Sequence, residues 1–429
     1  MHAVAAPDRI PGVPPGPYAS FRIPNFRRFI VSLLTMTVGA QVQTLVVSWQ
    51  IYGLTHDPLS LGLIGLAEVV PFIAVALFAG HVADRFDRRR IALWSFGVLF
   101  TCALALMAMS YTHVWVRAHG VWPFYVVIGI GGVARSFLMP ARNSLAVGLI
   151  PPAMLPNSIA WRSSTWQSGA VAGPALGGLL YGFAGVTATY AVQAALLLVA
   201  LVSFAMIRVA RAAAAASRAA DVGDSLLSGL RFVWRERVLL GAQTLDLFSV
   251  LLGGAEALLP VFADRILHVG PEGLGLLRAA PAVGAMAMSL YMAHRPPFRR
   301  AGRTLLLSVA FFAACIIGFG LSRSFTASAA LLILSGMADN VSVLIRQTML
   351  QVLTPAALLG RVLSVNSIFV GSSNELGAFE SGVTARLLGA VPAVVLGGAA
   401  SLAVVGIVAG TVPRLRRMRE IHPMEVATA

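Results

Sequence analysis

The chain has 429 residues, 58% hydrophobic and only 11% charged, with a mean hydropathy of +0.81, whereas soluble domains carry about 25% charged residues. These values describe an integral membrane protein and exclude a string of soluble domains. The formal charge of +15 comes from 32 basic residues, every one an arginine, so P-loop ATP hydrolysis and Schiff-base chemistry, which need a lysine, are excluded too.

In chain order, residues 1–24 are Pro-rich without an apolar core, which predicts a disordered cytoplasmic head and neither a signal peptide nor a span. Six stretches able to cross a core of ~30 Å follow near 28–52, 59–82, 91–111, 122–148, 157–182 and 186–207. Six more lie near 237–263, 273–294, 303–322, 325–350, 362–386 and 390–412. The expected organisation is an N-terminal six-helix bundle (25–207), a cytoplasmic linker (208–236) containing the run Ala212 to Ala216, a C-terminal six-helix bundle (237–412) and a cytoplasmic tail (413–429). Of the 32 arginines, 22 fall in the head, second loop, linker, eighth loop and tail. Four, Arg117, Arg265, Arg323 and Arg386, fall in the opposite loops, so both ends are expected on the cytoplasmic side. The basic balance is thus a topology signal and not a nucleic-acid footprint. Cys102 and Cys315 lie within apolar runs and are read as packing residues, and no metal-ligand spacing or cofactor motif occurs.

Sliding the sequence against itself by 204 positions aligns Arg142 with Arg346, Pro151 with Pro355, Gly173 with Gly377, Gly178 with Gly382 and Gly185 with Gly389, without gaps. An Arg, a Pro and three Gly in one register argue for parallel duplicated halves with a site between them.

The second loop carries Gly80, Asp84, Arg85, Arg88 and Arg89 in the pattern G-x-x-x-D-R-x-x-R-R, which resembles the signature loop of the major facilitator superfamily. The resemblance implies a cytoplasmic latch between the halves, although the family has glycine where this chain has Asp87. In span five, Gly169, Gly173, Pro174, Gly177 and Gly178 form G-x-x-x-G-P-x-x-G-G, which resembles the antiporter motif of drug:proton exporters. Small-residue packing explains the glycines equally well. Thr348 to Gln351, Thr354-Pro355 and Leu359 to Arg361, with Pro140 to Arg142, resemble the branch of the superfamily that holds enterobactin and macrolide exporters. The implied fold is an all-α membrane protein of twelve transmembrane helices in two six-helix halves.

Ionisable side chains at membrane depth are costly, so each is a functional candidate. Glu68 and Asp246 lie about ten residues into spans two and seven, near the midplane at ~1.5 Å per residue. Arg135 and Asp339 occupy equivalent repeat positions, each seven residues before Arg142 or Arg346 and hence on the same helix face. Glu68, Asp246, Asp339 and Glu375 are the candidate proton carriers and Arg135, Arg142 and Arg346 their charge partners, with Glu256 and Glu380 completing the set. A proton, the substrate and an arginine competing for one acid would couple transport to proton entry. The alternative is fixed ion pairs such as Arg135 with Glu68 and Arg346 with Glu375. Trp49, Phe137, Trp166, Phe248 and Phe369 are candidates for a cavity wall, which suits a bulky amphipathic substrate.

The expectation is therefore a monomeric secondary exporter in the bacterial inner membrane, driving a drug-like or siderophore-like compound outward by proton antiport with alternating access. Proton-linked uptake or lipid flipping are the transport alternatives. A polytopic membrane enzyme would need a nucleophile motif that the sequence lacks.

Overall fold

The computed structural model describes residues 16–111, 120–208, 230–253, 255–294, 298–419 and 421, and for 76–85, 356–357, 364, 367 and 368 the backbone alone. It is almost entirely helical, as lipid demands, since only a helix satisfies its own backbone N–H and C=O groups there. The first helices are α1 (Pro24–Thr55), α2 (Pro58–Arg85), α3 (Arg88–Tyr111) and α4 (Trp122–Gly148). The stretch Leu155–Ala205 is broken at Gly185, whose φ of 80° and ψ of 176° separate α5 (155–184) from α6 (186–205). Next comes α7, with arms Arg237–Leu252 and Ala255–Val261 and a closing π turn Phe262–Ile266. The remaining elements are α8 (Gly270–Ala293), α9 (Ala301–Leu321), α10 (Phe325–Leu353), α11 (Ala356–Leu388), α12 (Ala390–Thr411) and the short α13 (Pro413–Arg417). Proline stands in the first turn of α1, α4, α5 and α8, where the missing N–H costs nothing.

Among the described residues, ten segments are long and apolar enough to cross a membrane, one of them the 54-residue Pro152–Ala205 that contains the Gly185 break. The 33-residue α11, which carries Asn374, Glu375 and Glu380, is outside the ten. The 204-residue register has a backbone counterpart. Gly185 and Gly389 both take positive φ, 80° and 94°, and each joins two helices as the only intervening residue. Pro151 and Pro355 both precede a helical start in nearly the same extended conformation, φ −56° and −55°.

One buried apolar cluster is built only from residues between Ala19 and Ile207 and a second only from residues between Val233 and Leu415. A third, containing Leu45, Ile51, Leu259 and Phe262, draws on both sides of the linker. Within the first set α1 packs on Leu155–Ala205 and α2 on α4; within the second α8 and α9 pack on α10 and α7 on α11. Two seams cross between the sets, α2 against α11 and α5 against α8. Both depend on missing side chains at the end of the molecule that holds the His56–Asp57 turn, Gly185 and Gly389. A Cβ on Gly178 would stand 2.5 Å from the Pro271 carbonyl oxygen, and one on Gly275 2.6 Å from that of Pro174. A Cβ on Gly382 would likewise stand 2.9 Å from the Gly62 Cα. Arg386 pairs with Asp57 at 3.5 Å across the α2–α11 seam, and Arg265 of α7 donates to the His56 carbonyl at 3.0 Å beside it.

The head differs from its expectation. Residues 1–15 lie outside the described set, but Ala19–Arg22 forms a 3-10 turn, and Asn157 and the Trp161 indole both donate to the Pro17 carbonyl at 2.8 Å. Tyr18 lies tilted against Trp161 and Phe21 meets it edge-on, so aromatic contacts and the two hydrogen bonds hold residues 17–23 in place of disorder.

Candidate functional site

Charged side chains from five helices, α2, α4, α7, α8 and α11, lie around the α2–α11 seam. Arg135 on α4 donates to Glu68 Oε1 on α2, and both side chains stay about a quarter exposed. Gly132, one turn before Arg135, makes the approach possible, since a Cβ there would stand 2.5 Å from the Glu68 carbonyl oxygen. Glu375 on α11 projects across the seam toward α2, with its Oε2 2.9 Å from where a Cβ on Gly65 would be. It lies within electrostatic reach of Glu68, Arg135, Arg278 and Glu256, and Arg278 on α8 is also within reach of Glu256. Arg135 is held by Glu68 on its own side and attracted by Glu375 from the other, so the charge state of Glu375 sets how strongly Arg135 is drawn away from Glu68.

Arg278 is absent from the expected site. Its signal is an arginine inside an apolar span, and the rule applied to Arg135 covers it equally. Asp246 and Asp339 stand elsewhere, between α7 and α10. Asp246 is ion-paired with Arg346, both about 7% exposed, so Arg346 takes Asp246 and not Glu375. Asp339 has no hydrogen bond or ion pair among the described residues. Arg142, which the 204-residue register aligns with Arg346, is 9% exposed, and its hydrogen-bond partners among the described residues are sulfurs, Met36 Sδ at 3.4 Å and Met139 Sδ at 3.7 Å. Glu380 is occupied within its own helix by Thr384 and Ser381.

The span-five glycines face two directions. Gly169, Gly173 and Gly177 lie against Thr37, Gln41 and Val42 of α1, whereas Gly178 lies against α8 and Pro174 offers its carbonyl to Gly275. The stripe is therefore a packing surface whose last member belongs to a seam. In the second loop, the side chains of Gly80, Asp84 and Arg85 lie outside the described residues. Asp87 fills the family's glycine position as the cap of α3, its Oδ1 accepting the Arg89 N–H at 2.8 Å. Arg89 donates to the Ala205 carbonyl at 2.6 Å and so ties α3 to α6, inside one set of helices.

The aromatic candidates have different surroundings. Trp49 packs against the shared apolar cluster, Phe137 lines a groove of about 640 Å3 between α3 and α4 with Trp94, and Trp166, Phe248 and Phe369 are each more than a third exposed. Among the described residues no three His, Cys, Asp or Glu side chains form a metal-binding group.

A family model described as transmembrane secretion effector matches residues 15–426. The enterobactin exporter EntS of Escherichia coli strain SMS-3-5 is 25% identical over 416 residues, which is 94% of this chain and 96% of that protein. EntS of Escherichia fergusonii matches to the same extent. Among solved structures, a bacterial homologue of the iron transporter ferroportin in an inward-facing state matches with TM-score 0.69 and 18% identity over 93% of this chain and 99% of that one. A point mutant of the nucleoside transporter NupG matches with TM-score 0.71 and 11% identity over 91% of this chain and all of that one.

Proposed function

Because the chain belongs to the transmembrane secretion effector family of the major facilitator superfamily, a family of transporters and not of enzymes, we propose that it exports an amphipathic organic compound in exchange for protons. It is a multi-pass membrane secondary transporter, and the proposal adds substrate class, direction and driving ion. Splitting Pro152–Ala205 at Gly185 and counting α11 makes the ten apolar segments twelve spans, six on each side of the 208–236 linker. The arginine bias then puts both ends and the linker in the cytoplasm and the sealed glycine seams on the outer face of the bacterial inner membrane. Reporter fusions at Gly223 and after Arg419 should both read cytoplasmic; an external signal from either discards the six-plus-six arrangement.

The observation that carries the reading is Glu375 standing across the seam from the Glu68–Arg135 pair. In alternating access the seam must open and re-form, and the acid at the seam is the one whose charge the movement exposes to each side in turn. Glu375 is the proton carrier in this proposal. Glu68 positions Arg135, and Arg278 holds the opposite flank. Enterobactin and macrolides are the first substrates to test, given the EntS relatives. In inverted vesicles with an acid lumen, wild-type protein should accumulate one of them. Glu375→Gln should be expressed normally yet lose at least about tenfold of the pH-driven flux, the scale of a ~1.4 kcal/mol coupling. Depletion from the vesicles would instead establish uptake, and full pH-driven pumping by Glu375→Gln would remove that residue from the coupling role.

A further inference from the structure

Away from the seam, α7, α9 and α10 enclose a cavity of about 10 Å3, room for about one water-sized sphere. Asp246, Ser249, Asp339 and Ser342 put oxygen into its wall, against the apolar Val309 and Phe312.

Charge is the first clue. Asp246 is balanced by Arg346, and the nearby acid Glu256 is faced by Arg278. Asp339 has no cationic partner among the described residues, so the cavity carries a net charge of −1. A hydroxyl gives the second clue. Ser249 is only 6% exposed, and its Oγ has no hydrogen-bond partner among the described residues, a costly state unless something in the cavity uses it. The third is the interruption of α7. Its first arm ends at Leu252, so Ser249 and Val250 lie in the last turn, where the negative end of the helix dipole meets the cavity wall. A broken helix that presents its carbonyl end to a small polar cavity is a recurrent means of binding a cation inside a membrane.

A proton on Asp339 would cancel the charge and engage one hydroxyl oxygen through a single hydrogen bond, whereas a cation would engage both hydroxyls and the carboxylate together. An oxygen-only donor set with one net negative charge matches a small, hard, monovalent cation. The geometry points to a sodium site here, held by the Asp339 carboxylate, Ser249 Oγ and the Ser342 hydroxyl, with the Asp246–Arg346 pair as its fixed wall. The site belongs to one side of the repeat only. At the 204-residue register, Asp339 and Ser342 correspond to Arg135 and Leu138. The inference rests on the reading of the chain as an ion-coupled transporter and adds a second cation to it.

The test uses the purified full-length chain in nanodiscs, without substrate. Saturable binding of radioactive sodium, displaced by unlabelled sodium chloride and not by choline chloride, is the expected result, with a higher Tm in sodium chloride than in choline chloride at equal ionic strength. Asp339→Asn should weaken sodium binding at least about tenfold, because site affinity follows the charge of its ligands. Ser249→Ala should weaken it less, with an unchanged gel-filtration profile that shows the fold intact. Absence of sodium binding by the wild type, with one Tm in both salts, would overturn the site and leave the cavity to a proton or a water. Such a failure leaves the export proposal standing, whereas sodium binding without any substrate flux would sink the export proposal alone.

Discussion

Replacing Arg346 by methionine should remove most of the folded protein from the membrane. The guanidinium and the Asp246 carboxylate are ion-paired with about 93% of each residue buried, so truncating one partner leaves the other as an unpaired charge among apolar side chains. The general cost of that state is about 3–5 kcal/mol, comparable to the whole stability of a small domain. The double variant Arg346→Met with Asp246→Asn removes both charges and should recover most of the folded fraction. The measurement is the monodisperse peak of a fluorescent fusion in detergent, compared across the two single variants and the double. Near-equal peaks for wild type and Arg346→Met would show that the pair is solvated and of little consequence. Additive losses in the double would show that the two residues act separately.

Gly178→Val should have the second large effect, of a different kind. In the closed seam a Cβ at position 178 would sit 2.5 Å from the Pro271 carbonyl and 2.8 Å from the Gly275 Cα, both of them backbone, which cannot turn aside as a side chain would. Overpacking of this sort costs about 1–3 kcal/mol, and here only the closed state carries the cost. The fold should survive while the equilibrium moves toward the state with the seam apart, and flux should fall by about tenfold or more. Ala378→Cys offers a direct readout, since this small residue lies in the α2–α11 seam with its Cβ 3.2 Å from where a Gly65 Cβ would be. A membrane-impermeant maleimide should label it faster in the Gly178→Val background; the native Cys102 and Cys315 are buried and contribute little. Unchanged labelling together with unchanged flux would mean that this seam does not open during transport.

How much of this is legible in the sequence depends on the physical scale of each feature. The helices follow from local composition, and the 204-residue register has a visible backbone counterpart because Gly185 and Gly389 do a job that only glycine does well, turning the chain at positive φ between two helices. The Glu68–Arg135 pair can be anticipated from depth alone. The partner of Arg346 cannot, because depth does not say which way each acid faces; Glu375 is turned toward Gly65 of α2, and Asp246 is the acid that meets Arg346. Asp87 looks like a departure from the family pattern and proves to be a helix cap, which any short side chain with an acceptor oxygen can supply. Arg278 escapes notice when arginines are weighed for loop topology, because one inside a span drops out of that sum. The aromatic candidates share only type and depth, and which way Trp49, Phe137, Trp166, Phe248 and Phe369 face depends on helix rotation, which the sequence encodes only through contacts made elsewhere.

The single-glycine joints have a mechanical consequence. With one residue between α5 and α6, and one between α11 and α12, neither pair has slack to slide along its length. Each pair is a hinge plate fastened at one edge: it can swivel or splay, and a pull on α5 reaches α6 undiminished. A displacement that begins at the Gly178–Gly275 contact therefore turns α6 as well, and the side of the molecule farthest from the seam moves in step with it.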